Sequence, residues 1–133
     1  MKGNREYKIS VVTAVYNVEE YIEEMIESIL DQTIGLENIQ LILVDDGSQD
    51  NSGKICDKYA TQYPENIKVI HKDNGGVSSA RNEGLKYVTG KYINFTDADD
   101  MLEKNALEKM YQYLEKNKDK IDIVAIPMKY YDS

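Results

Sequence analysis

The sequence predicts an α/β fold: one mostly parallel sheet with helices on both faces. Three observations predict it. Short β-branched runs alternate with stretches whose apolar residues recur at spacings of three and four. Polar loops rich in Asp, Asn and Gly separate the two kinds of segment. The resulting order, βαβαβαβαβ, has no repeat or linker, and crossovers of that kind build a parallel sheet covered on both sides. The 133 residues suit a single domain that can bury a core without disulfides.

Residues 1–8 read as a polar tail. Ile9-Ser10-Val11-Val12-Thr13-Ala14-Val15 reads as a buried strand, broken by Tyr16-Asn17. Asn17 with Glu20 forms a capping-box pattern for a helix carrying Ile22, Met25, Ile26, Ile29 and Leu30 on one stripe. Leu41 to Val44 is the core of the second strand. A helix follows with Ile55, Cys56, Tyr59, Ala60 and Tyr63 on one face, ended by Pro64. Ile67 to His71 is a third strand, and Asn74-Gly75-Gly76 a turn. Ser78 or Ser79 would cap a helix running through Val88, with Thr89-Gly90 as its glycine stop. Tyr92 to Thr96 is the fourth strand. Leu102, Leu107, Met110 and Leu114 mark another helix, and Ile121 to Ile126 a last strand.

Three polar loops follow strands: Ala14 to Asn17, Asp45 to Ser48 and Asp97 to Asp100. In a parallel sheet they share the edge where ligands bind. Asp97-Ala98-Asp99-Asp100 ends an apolar strand in three carboxylates, which are costly to bury without water or a cation. Asp-x-Asp is a hard-oxygen pair suited to a divalent ion that also carries phosphate. The competing explanation is a solvated, helix-capping turn. A carboxylate at Asp45 or Asp46 can accept hydrogen bonds from a base N–H or a ribose hydroxyl. Tyr16 can stack on a base. Arg81 can pair with phosphate, or equally with a neighbouring acid.

Composition excludes several classes. Twenty-four acids against 16 bases leave a net charge of −8, which argues against nucleic-acid binding. No apolar run approaches the roughly 20 residues of a membrane span, and no signal-peptide core is present. One cysteine, Cys56, cannot form an internal disulfide; its helical position suits a small buried side chain rather than a nucleophile. A cytoplasmic location is expected. Gly75-Gly76 lacks any phosphate-loop pattern and reads as a plain turn. The lone His71 reads as structural or solvated.

Five segments, in order, resemble one family. They are Val11 to Asn17, Ser28 to Thr33, Val44 to Ser48, Asn74 to Asn82 and Gly90 to Asp100. Together they resemble the N-terminal part of a GT-A-fold, family-2 glycosyltransferase, from about Ile9 to Ile126. The resemblance implies a Rossmann-like sheet and transfer of a sugar from a nucleotide-diphosphate donor, UDP-linked in most look-alikes, commonly with inversion. It implies that Ala14, Val15, Tyr16, Asn17, Asp45, Asp46, Arg81, Asp97 and Ala98 line the donor pocket. Asp99 would be the main ligand of Mn²⁺ or Mg²⁺, assisted by Asp97, while Asp100 caps the next helix or holds the loop. Residues 9–133 would then be the donor half of such a domain. The acceptor site, for a saccharide or lipid-linked acceptor, and the general base would lie further along, at the inner face of the membrane in the longer protein. A second half would cover an apolar sheet edge or face, which left bare would favour a homo-dimer.

Two other classes compete. A phospho-receiver domain shares the size, the acidity and an acid pair after an early strand, but here a complete strand–helix unit precedes that pair. A non-catalytic nucleotide-binding or interaction module could use the same fold. An acyl-phosphate analogue such as beryllofluoride would mark the first, and absence of hydrolysis or transfer the second.

Overall fold

The computed structural model describes residues 6–119. Four strands, β1 (Ile9–Val15), β2 (Ile39–Asp45), β3 (Ile67–His71) and β4 (Tyr92–Phe95), alternate with α1 (Ile22–Leu30), α2 (Ser52–Gln62), α3 (Val77–Leu85) and α4 (Ala106–Lys116). All strand pairs are parallel, in the order β3-β2-β1-β4. The expected strand at Ile121 to Ile126 lies outside the described residues.

Residue alternation along β1 explains both layers. Ile9, Val11 and Val15 face a core shared with Ile22, Met25, Ile26 and Ile29 of α1, Cys56 and Tyr59 of α2, and Leu107 and Met110 of α4. Val12 faces the other way, with Ile42, Val44 and Ala80 of α3. Strands β1 to β3 step in one direction and β4 returns to the far side of β1. With right-handed crossovers, that reversal moves α3 to the opposite face from α1 and α2. The same reversal makes β1 and β4 the switch point of the sheet, the position beyond whose strand ends open α/β sheets take ligands.

Local capping signals hold less well than the apolar pattern. Helix α1 begins at Ile22, without a side-chain cap, rather than directly after Asn17. Asn17 adopts φ 51°, a left-handed conformation that asparagine tolerates, and its side chain is used elsewhere. Helix α3 begins at Val77 after Gly76 at φ 97°, so Ser78 and Ser79 lie within it, and it ends at Leu85.

Gly90 is therefore not a helix stop. A Cβ on it would meet Ser10 N at 2.7 Å and the Ile9 carbonyl carbon at 2.9 Å, while its N–H donates to Ser10 Oγ at 2.7 Å. Two backbones pass too closely for any side chain. Gly90→Ala is expected to lower unfolding stability by about 1–3 kcal/mol through overpacking, read from urea denaturation midpoints at unchanged m-value.

Candidate functional site

The loops after β1 and β2 are joined by long-range hydrogen bonds. Asn17 N–H donates to Ser48 Oγ at 3.1 Å, and Asn17 Oδ1 accepts from Gln49 N–H at 2.8 Å. Val18 N–H donates to Ser52 Oγ at 2.9 Å, and Asp46 N–H to the Val15 carbonyl at 2.8 Å. These bonds fix the turn that presents Tyr16, whose ring is exposed beside the strand ends. Ala14 is half-buried and Val15 fully buried, so Val15 faces this edge only through its backbone.

Asp45 and Asp46 are both nearly inaccessible, yet they differ in partners. Asp45 accepts Ser48 N–H through Oδ1 at 3.0 Å and contacts His71 Nδ1 through Oδ2 at 2.8 Å. Asp46 is held by four donors. Gly75 N–H and Lys72 Nζ reach Oδ1 at 2.9 and 3.2 Å; Gly76 N–H and Asn74 Nδ2 reach Oδ2 at 2.9 and 3.0 Å. Burial would raise its pKa, but the Gly75, Gly76 and Lys72 contacts outweigh it and hold the carboxyl below its ordinary range. The Gly75-Gly76 turn thus uses its amides on an internal anion. Sequence reasoning passed over this collar because Asn74-Gly75-Gly76 read as a plain turn. The rule that loops after parallel strands share an edge applies to the loop after β3 as well.

Beyond β4, carboxylate oxygens of Asp97, Asp99 and Asp100 lie within 4.8 Å of one another. Asp100 N–H donates to the Asp97 carbonyl at 3.1 Å, a tight turn that converges the three side chains. Asp99 is exposed and the others partly so, while Ala98 is buried beneath them. A trio of hard oxygen donors, open to solvent, fits Mg²⁺ or Mn²⁺ with positions left for water and phosphate. Asp100 joins the cluster as an equal in geometry, a role its place in the sequence left open. Arg81, in the second turn of α3, places Nη2 3.3 Å from Asp97 Oδ1, and its guanidinium lies over the Phe95 ring at 5.4 Å. The ion pair with an acid is formed, and it sets the cation beside the carboxylate cluster.

Cys56 is fully buried, and burial pushes its thiol up to about 12, so it is inert. Among the described residues, no helix is long and apolar enough to cross a membrane.

Comparison with known proteins identifies this arrangement. The family model described as "Glycosyl transferase family 2" matches residues 10–133. The chain belongs to glycosyl transferase family 2. Among family relatives, the minor teichoic acid biosynthesis protein GgaB of Bacillus subtilis (strain 168) is 55% identical over 122 residues, covering 92% of this chain and 14% of GgaB. The crystal structure of S. aureus TarS 1-349 in complex with UDP-GlcNAc matches with a TM-score of 0.76 and 32% identity, over 84% of this chain and 32% of that one. The mannosyltransferase PcManGT from Pyrobaculum calidifontis, in complex with GDP-Man and Mn²⁺, shares the fold with a TM-score of 0.75 at 23% identity, over 84% of this chain and 33% of that one. The fold is therefore the GT-A type of this family. The chain spans about a seventh to a third of the lengths of these proteins.

Proposed function

We propose that this chain is the donor-binding half of a sugar transferase. It binds a nucleoside-diphosphate sugar, UDP-linked, with a divalent cation at Asp97, Asp99 and Asp100. In the longer protein the sugar passes, with inversion, to a hydroxyl of a teichoic-acid-type surface polymer or its lipid-linked precursor, on the cytoplasmic side of the membrane. The observation that carries this reading is the convergence of three carboxylates just past β4, at the switch point of the sheet. Supporting it are the relative named for teichoic acid biosynthesis and a TarS structure solved with UDP-GlcNAc.

The residues take roles that follow from their surroundings. Tyr16 offers an exposed ring for base stacking. Asp45 and Asp46 stand on the base side. Because the four donors on Asp46 use its full acceptor capacity, a base N–H there must share an oxygen with one of them. Arg81 orients the phosphates, exchanging part of its pairing with Asp97 for theirs. Bound at the acid cluster, a divalent cation supplies neutralisation of the leaving diphosphate. Activation of the acceptor falls to residues outside this span.

Calorimetric titration of UDP, GDP and dTDP, each with and without Mn²⁺, tests the reading. The expected result is metal-dependent binding, tightest for UDP. Absence of binding by all three in both conditions would overturn it.

A further inference from the structure

His71 is the single histidine of the chain and closes β3 between two carboxylates. Nδ1 lies 2.8 Å from Asp45 Oδ2, and Nε2 lies 2.9 Å from Asp57 Oδ1. An ionised carboxylate only accepts, so each contact needs a ring N–H. Neutral imidazole has one such group, and the arrangement is complete only for the imidazolium. Hydrogen bonds to Asp45 and Asp57 raise the pKa of His71 above its ordinary value against the opposing effect of burial. The charged groups facing the ring are Asp45 from β2 and Asp57 from α2. Lys72 turns its ammonium to Asp46, and Cys56, which neighbours both acids, stays neutral.

The junction is fitted closely. Gly53, in the first turn of α2, passes over it, and a Cβ there would meet Asp45 Oδ2 at 2.5 Å and His71 Cε1 at 3.3 Å. Glycine is unfavourable in a helix, and here space rather than backbone conformation requires it. From the ring, contacts run through Asp45 Oδ1 to Ser48 N–H, then from Ser48 Oγ to Asn17 N–H, beside Tyr16.

We propose that His71, as the imidazolium, is a positioning residue that fixes the Asp45–Ser48 turn, and through it Tyr16-Asn17, for nucleotide binding. The proposal rests on the nucleotide reading above. Its geometry is unlike that of an ordinary edge histidine, because both ring nitrogens are committed and one partner belongs to the site.

The test follows the His71 ring signal and the Ser48 and Gln49 amides by NMR across pH, with calorimetric UDP titrations in Mn²⁺ at matching pH values. A single histidine makes the ring signal unambiguous. His71 is expected to titrate above its ordinary value of about 6.5, with both amides moving at the same midpoint. UDP affinity should fall by roughly fivefold or more as pH rises through that midpoint. Asp57→Asn should lower the midpoint, since one carboxylate no longer favours the charged ring. In His71→Gln the affinity step should vanish, and comparison with it removes the titration of UDP itself. Amides that do not follow the ring, or one affinity profile shared by both chains, would overturn the proposal and leave nucleotide binding standing. Absence of binding of UDP, GDP and dTDP at every pH would overturn the nucleotide reading, and the proposal with it.

Discussion

Asp99→Ala is expected to weaken metal-dependent UDP binding by at least about 10–100-fold, since loss of even an outer partner of a metal ligand costs that much. The fold should be unaffected. Asp99 is exposed, and surface substitutions away from special features usually change stability by no more than about 0.5 kcal/mol. Removing one of three clustered like charges relieves repulsion in the metal-free chain, so any change there should be slightly stabilising. The two measurements should therefore move in opposite directions, which a merely structural carboxylate would not do. Titrating Mn²⁺ and UDP together into the wild-type, Asp99→Ala and Asp100→Ala chains separates the candidates. An Asp100→Ala loss as large as that of Asp99→Ala would make Asp100 a ligand; retained affinity would make it a loop residue. Unchanged UDP affinity in Asp99→Ala would remove the metal site from the account.

Asp46→Ala should produce the largest loss of stability at this edge, about 3–5 kcal/mol, because it leaves the Lys72 ammonium without its buried partner. It also strands the Gly75 and Gly76 backbone amides, while Asn74 Nδ2 keeps its bond to the backbone carbonyl of residue 46 at 3.0 Å. Against a typical total of about 5–15 kcal/mol, such a chain would be marginal. The sign of the pH dependence follows from the depressed pKa. The folded carboxyl holds its proton less tightly than the unfolded one. Its stabilisation is complete above the unfolded value, about 3.9, and is lost as pH falls through the lower folded value. Urea unfolding at pH 7 should show the full difference between wild type and variant. The difference should shrink as pH is taken below about 4. A difference that stays constant into acid would show that Asp46 acts by packing rather than charge.

The apolar pattern carried the architecture because burial is a property each strand and helix shows by itself. The boundaries of β3, Ile67 to His71, and the end of α2 before Pro64 were legible for that reason. Caps were less so, because their partners are distant. Asn17 looks like a local cap for α1, but its side-chain oxygen receives Gln49 N–H from another loop. Gly90 looks like a helix stop, but it is needed where its backbone crosses that of Ser10. At the site, the acid clusters announced themselves by composition. Their partners did not: nothing local to Asp46 indicates Lys72 or Gly76, and nothing local to His71 indicates Asp57. Asp100 was the intermediate case, adjacent to a recognised pair yet equally suited to capping.

The position of β4 also bears on the order of assembly. Strands β1, β2 and β3 pair with the neighbour next in sequence, whereas β4 joins β1 in a register that brings Ile9 opposite Tyr92. Such a joint closes a long loop, and contacts of high sequence separation form slowly. On that ground β4 is expected to dock after β1 to β3 have paired, and because the three acids sit immediately past it, a half-folded chain would present a sheet and a nucleotide-side turn but no cation site. Acquisition of Mn²⁺ affinity would then time the final stage of folding, and a stopped-flow refolding trace read through metal binding should lag one read through helix content.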